Sequence, residues 1–392
     1  MKILFISNSA TRTGAPIGLL HLLQWLRDNT DLAFEVLLRV GGGELTSEFE
    51  KLCKVTVYGD LWSTQTIVQR IARRVGLASL MGQPCSSPVE ALYENQGYDL
   101  IYSNTITNGG IIAELARLGL PLLCHVHELQ SVIEKYGSEN LAQHKQHCTH
   151  FIADSRATQR NLVSRHQIPV AQLDLAYEFI VVDDVLEQAG VPLDTGIDTE
   201  GCFVVGGCGY SYQRKGKDLF AALAKEVIVR DPKRRYRFVW VGGEPDGVEA
   251  DRFRADIERL GLLEQLTFIP QVQNTYPYFS RFDVFALTSR EEPLGMVMLE
   301  AACFECPVLC FDASGGAPEF VGDDAGFVAS NLSVEEMADH VIALAQDDAM
   351  RKTLGTRAKV KVQESHDISV VPPKILAVIE KVVSADLATG KG

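Results

Sequence analysis

Residues 287–322 read LTSREEPLGMVMLEAACFECPVLCFDASGGAPEFVG, and the way this stretch is punctuated decides the fold. An apolar strand, Asp283 to Leu287, runs into it. The chain breaks at Pro293 and Gly295 and resumes at about Gly295 as a helix, which leaves the amides of Gly295, Met296 and Val297 without intrahelical acceptors. A second apolar run, Val308 to Phe311, follows and closes on the Gly-Gly turn SGGAPE. Strand, loop, helix and strand in this order make the repeating unit of a parallel sheet.

A helix start of this kind binds phosphate. Glu292 and Glu300, separated by seven residues, cannot bind phosphate themselves, but ionised carboxylates accept strong hydrogen bonds from sugar and ribose hydroxyls. Phosphate beside a polyol points to a nucleotide sugar.

The same alternation of strand and amphipathic helix runs through the chain, the pattern of parallel sheets covered on both faces. Strands are expected at Lys2 to Ser7, Glu35 to Val40, Lys54 to Tyr58, Asp99 to Ser103, Leu122 to Val126 and Phe151 to Asp154. A second series falls at Phe203 to Gly207, Tyr236 to Val241, Leu266 to Ile269, Asp283 to Leu287 and Val308 to Phe311. Between them, Val181 to Gly201 loses periodicity and gathers Asp, Gly and Thr, as a domain connection does. With 392 residues the chain exceeds one compact core. Residues 1–190 and 191–372 read as two doubly wound Rossmann-like domains facing across a cleft, with 373–392 a final helix able to pack back on the N-terminal domain.

The net charge of −14 opposes general nucleic-acid binding, which needs a basic face. No apolar run reaches the roughly 18 to 20 residues that span a bilayer, and MKILFISNSA reads as a first buried strand with no export signal. Nine cysteines, several within apolar runs, fit reduced buried thiols, and the expected compartment is the cytoplasm. Residues 61–82, LWSTQTIVQRIARRVGLASLMG, set Trp62, Ile67, Ile71, Val75 and Leu77 beside Arg70, Arg73 and Arg74. An ordinary domain helix is the preferred reading; the alternative is a basic amphipathic helix lying peripherally on the inner membrane face.

Three further motifs carry chemistry. In GGCGYSYQRKGKDLF, Gly206, Gly207 and Gly209 follow a strand, and the adjacent cations Arg214 and Lys215 precede a helix, where they suit a diphosphate leaving group. In SNSATRTGAPIG, the small residues Gly14, Ala15 and Pro16 let backbone approach a ligand; the glycine spacing of a dinucleotide site is missing. In PLLCHVHELQ, alternation puts His125 and His127 on one face with Glu128 beside them, a sugar contact more than a metal pair, since no third spaced ligand follows.

Taken together these motifs resemble the family 4 (group 1) glycosyltransferases of the GT-B fold, most closely from Gly206 to Val328 and weakly from Thr30 to Gly97. The resemblance implies transfer of a sugar from a nucleotide donor, UDP- or GDP-linked, to a hydroxyl of a glycan or lipid-linked acceptor, with retention at the anomeric carbon, in surface polysaccharide or glycolipid synthesis. By its pattern Glu292 contacts the donor sugar, Glu300 the ribose, and the loop from Leu294 through Gly295 and Met296 to Val297 the sugar and phosphate. Arg214 and Lys215 take the diphosphate, so that no metal or other cofactor is needed. His127 matches a histidine near the donor sugar. Gly14, Ala15 and Pro16 match the acceptor-side loop; His125 and Glu128 fall on the same side, Glu128 touching acceptor or orienting its neighbours. One departure is Tyr210, which stands where the family has an arginine; Arg214 then supplies the guanidinium. Glu305 replaces a glycine common at that helix end, so its backbone is expected in an unusual conformation.

His144, His147, Cys148 and His150 are spread around a helix end and are expected to hold no ion. Cys303 and Cys306 read as buried small residues. The rival readings are a sugar-nucleotide epimerase, which needs no acceptor, and a catalytically silent nucleotide-sugar binder.

Overall fold

The computed structural model describes residues 1–63, 87–190, 196–210 and 212–389. The basic segment considered for membrane contact lies almost wholly outside them. The chain divides into two compact units: Met1–Asp154 with Thr158–Ala176 and Pro372–Gly392, and Ser155–Ala157 with Tyr177–Val371.

In the first unit, seven strands form one parallel sheet: β1 Lys2–Ser7, β2 Ala33–Leu38, β3 Lys54–Val57, β4 Leu100–Ser103, β5 Leu122–Val126, β6 His150–Ala153 and β7 Leu173–Leu175. Their order is β3-β2-β1-β4-β5-β6-β7. The second unit has six: β8 Phe203–Cys208, β9 Tyr236–Val241, β10 Leu266–Ile269, β11 Val284–Leu287, β12 Val308–Phe311 and β13 Gly326–Ala329, ordered β10-β9-β8-β11-β12-β13 and all parallel. The central strands are buried along their whole length, as parallel strands covered on both faces must be. In each sheet the winding reverses once, between β1 and β4 and between β8 and β11, and a crevice opens at such a point beyond the carboxyl ends of the two strands.

Two edge strands escape the sequence reading. β7 is only Leu-Asp-Leu, and its Asp174 accepts hydrogen bonds from the His150 ring at 2.7 Å and the Lys381 ammonium at 2.7 Å. β13 begins at Gly326, where a Cβ would come within 1.8 Å of the Val308 carbonyl oxygen.

The division also falls at Ala176–Tyr177 and not at 190–191. The Asp-rich stretch is partly a helix, Val182–Ala189, and it is tied to the second unit: Ile180 exchanges backbone hydrogen bonds with His366 and Ile368, and the Asn274 amide donates to the Gln188 carbonyl at 3.0 Å. The last helix, Val371–Thr389, starts two residues before the expected 373, and from Pro372 on it belongs to the first unit. Among the described residues, no helix is long and apolar enough to cross a membrane.

Candidate functional site

The second unit gathers its charged residues at the β8/β11 reversal. After β8, Gly209 leads to a four-residue helix, Tyr212–Lys215, then Gly216, then the Lys217–Arg230 helix. Gly216 has φ +71°, and a Cβ there would lie 1.9 Å from the Thr288 carbonyl oxygen, so only glycine lets this turn dock on the end of β11. Gly209 makes room of a different kind: a Cβ would meet the Lys215 Cγ at 2.7 Å. The glycine therefore seats the lysine stem.

Lys215 Nζ donates a very short hydrogen bond to Glu292 Oε2, Arg214 Nη1 stands 3.8 Å from Glu292 Oε1, and Ser289 Oγ donates to Oε2 at 3.2 Å. Arg214 also donates to the Glu291 carbonyl at 3.0 Å. Glu292 is only 5% exposed. Burial alone would raise its carboxyl, but Lys215 and Arg214 outweigh that and hold it below the ordinary range. Two cations against one carboxylate leave this cluster one positive charge in excess. Its backbone is clamped too: Glu292 N donates to the Ser314 carbonyl at 2.6 Å and Gly316 N to the Glu292 carbonyl at 3.0 Å, so the SGGAPE turn fixes the glutamate from the next strand.

Past Glu292, Leu294 is fully buried and Met296 is buried, which leaves their backbone as the part able to serve a ligand. Gly295 precedes the Met296–Ala302 helix with φ +99°; the amides of Met296 and Val297 are among those that have no acceptor within the helix. Glu300 lies on the same helix with its carboxyl pushed up to about 7 by burial, against the pull of a hydrogen bond with Tyr276. Tyr210 is half exposed and bonds Glu244 Oε1 at 2.5 Å, so it does not take the place of the family arginine, whereas Arg214 does stand beside Glu292. Glu305 has φ +58°, the unusual backbone expected where a glycine is replaced.

Sequence reasoning missed Arg290. Its guanidinium pairs with Asp218 through bonds of 2.8 and 2.6 Å and donates to the Gln213 carbonyl at 2.8 Å, while its own amide donates to the Arg214 carbonyl at 2.8 Å. It staples the cation-bearing turn to the Glu292 loop. Spacing alone carries no signal of this, because the ion-pair partners lie 72 positions apart.

In the first unit the groups at the β1/β4 reversal are joined mainly by hydrogen bonds. Gly14, Ala15 and Pro16 open the Gly14–Asn29 helix after β1. Asn104 and Thr105 follow β4, each 2% exposed; their signal in the sequence was their place at a strand's carboxyl end. Glu128, also buried, accepts a very short bond from the Thr105 hydroxyl and bonds from the amides of His127 at 3.0 Å and Ile106 at 3.4 Å. Burial pushes its carboxyl up, and His127, Thr105 and the amides offset this only in part. These bonds make Glu128 an organiser of the turn. His125 and His127 do share a face, with ring centroids 4.1 Å apart, but His125 packs inward at 4% exposure, its Nδ1 2.7 Å from the Tyr102 hydroxyl. Burial, and then His127, hold the His125 imidazole well below its ordinary pKa. His144 bonds Ser103 and Asn140, and His150 bonds Asp174, so these two histidines serve separate partners.

Residues 211–361 match the family of group 1 glycosyl transferases, and the whole chain has the GT-B fold. Among solved structures it is similar to HepE of Anabaena, crystallised with UDP and glucose, at TM-score 0.79 and 21% identity over 97% of this chain and all of that one. Sucrose-phosphate synthase of Thermosynechococcus elongatus is similar at TM-score 0.74 and 18% identity, over 98% and 100%. Among curated relatives, D-inositol 3-phosphate glycosyltransferase of Corynebacterium aurimucosum is 30% identical over 45% of this chain and 41% of its own length. Poly(ribitol-phosphate) alpha-N-acetylglucosaminyltransferase of Staphylococcus aureus is 25% identical over 44% and 34%. The matched stretch is thus less than half the length of either relative.

Proposed function

We propose that the protein transfers a sugar, with retention, from a UDP- or GDP-linked donor to a hydroxyl of a glycan or lipid-linked acceptor. The observation that carries this is the Arg214–Lys215–Glu292 cluster at the β8/β11 switch point, whose one excess positive charge suits a nucleoside diphosphate. Glu292 holds the two cations where charge develops on the departing diphosphate, and such pre-placed charges require no rearrangement during reaction. The amides of Met296 and Val297 add the helix N-terminal field, and Glu300 takes the ribose hydroxyls. No separate cofactor or metal is invoked, since the two side-chain cations neutralise the leaving group.

The bond from the anomeric carbon to the diphosphate oxygen breaks, the bond to the acceptor oxygen forms on the same face, and the acceptor proton passes to the leaving diphosphate. The first unit presents the acceptor through the Gly14–Pro16 loop and the His127 end of β5. Its place is the cytoplasm, where nucleotide sugars are expected, with acceptors of surface polysaccharides or glycolipids. Incubation with a panel of nucleotide sugars and acceptors, with products read by mass spectrometry and anomeric configuration by NMR, tests the reading. Acceptor-dependent product of retained configuration supports it; turnover of the donor to an isomer without acceptor contradicts it.

A further inference from the structure

We propose that Asn104 is a positioning residue that couples the acceptor-side loop to His127 and fixes which nitrogen of that imidazole carries the proton. Asn104 follows β4, Ala15 follows β1 and His127 follows β5, so one side-chain amide joins three neighbouring strand ends around the first switch point. Asn104 Nδ2 donates to the Ala15 carbonyl at 2.8 Å, and its Oδ1 lies 3.3 Å from His127 Nε2. The Ala15 carbonyl can only accept, so it sets the orientation of the amide: turning the group over would place two oxygens against each other. Oδ1 therefore faces the imidazole, and an amide oxygen can only accept. His127 Nε2 must carry the hydrogen.

The arrangement is buried, with Asn104 2% exposed, so neither end of the amide is readily replaced by water, and an unmade bond there is costly. On the other side of the ring, Nδ1 stands 3.9 Å from Asp154 Oδ2, beyond hydrogen-bond distance. A ring held this way does not take the acceptor's proton at Nε2, which leaves that proton to the departing diphosphate. This last consequence rests on the transfer reading given above; the tautomer itself does not.

The test uses the full chain with isotopically labelled histidine. Nitrogen–proton correlation NMR reports the tautomer of each neutral ring, with His127 assigned from His127→Gln and the pH raised until the neutral ring appears. The Nε2–H form is expected in the parent protein. In Asn104→Ala that preference is expected to fade into a mixture, and kcat to fall about tenfold to a hundredfold with donor KM unchanged, as expected for misplacement at the reacting centre. Asn104→Asp keeps an acceptor for Nε2–H but loses the donor to Ala15, so it retains the tautomer while releasing the loop, and it guards against an Asn104→Ala chain that fails to fold. An Nδ1–H ring in the parent, or a tautomer unmoved in a folded Asn104→Ala protein, overturns the proposal. Because this readout needs no substrate, its failure leaves the transfer reading standing, and a protein with the expected tautomer and no transferase activity would fail only the latter.

Discussion

The two units wind their sheets alike, yet they end in opposite chemistry. At the β1/β4 reversal the buried groups that meet are an amide, hydroxyls and a turn-capping carboxyl: Asn104, Thr105 and Glu128. At the β8/β11 reversal they are ions, with Lys215 and Arg214 on Glu292 and Arg290 on Asp218. A hydrogen-bonding end without surplus positive charge suits hydroxyl groups, and an end with surplus positive charge suits a diphosphate. The fold supplies two crevices, and what each can hold is decided by a few residues at strand ends.

That contrast can be broken from either side. The largest effect is expected from Lys215→Ala, which removes the ammonium nearest Glu292 and strands a buried carboxylate; kcat should fall about 10² to 10³-fold, as when a pre-placed charge-stabilising donor is lost, in a steady-state transfer assay. On the hydrogen-bonding side, Thr105→Val takes one hydrogen bond from buried Glu128. Thermal unfolding should show a loss of about 1–3 kcal/mol, with nucleotide affinity unaltered; a change in nucleotide affinity would mean the two ends are not chemically separate.

Glu300 sharpens the contrast through pH. Its carboxyl is raised to about 7, and ribose hydroxyls donate to the ionised form, so donor affinity should climb as pH rises through 7. At pH 6 only about a tenth of the carboxyl is ionised, and affinity should be about tenfold weaker than at pH 8. Titration calorimetry at the two pH values should lose this difference in Glu300→Gln. The smallest effect is expected from Arg290→Lys, which keeps the charge but not the two-pronged grip on Asp218. A fall of a few-fold in kcat, with the melting point nearly unchanged, would mark Arg290 as holding the cation turn in place.

Most of the sheet framework was legible because parallel strands buried on both faces announce themselves as short apolar runs. β7 and β13 were not, since an edge strand of three or four residues carries an Asp or begins with a glycine. The boundary was misplaced because Val182–Ala189 is an acidic helix whose attachment to the second unit depends on Ile180, Gln188 and distant partners. At the candidate site, the cations and glutamates could be picked out by type and spacing, and the strained Glu305 backbone by its replacement of glycine. The bonds that hold them could not. Arg290 with Asp218, and Asn104 between Ala15 and His127, are contacts between loops far apart in sequence, and no local pattern encodes them. Composition also could not distinguish an inward histidine, His125, from its neighbour His127, because alternation gives the face and not the depth.

Arg214 and Lys215 are proposed to bind a nucleoside diphosphate at the second unit's switch point. Titration calorimetry of UDP and of GDP into the parent protein, Arg214→Ala and Lys215→Ala tests it most directly. Saturable binding of at least one nucleotide, weakened about tenfold or more in both variants and falling with added salt, is predicted. Absence of binding by both nucleotides, or equal affinity in the parent and both variants, would contradict it.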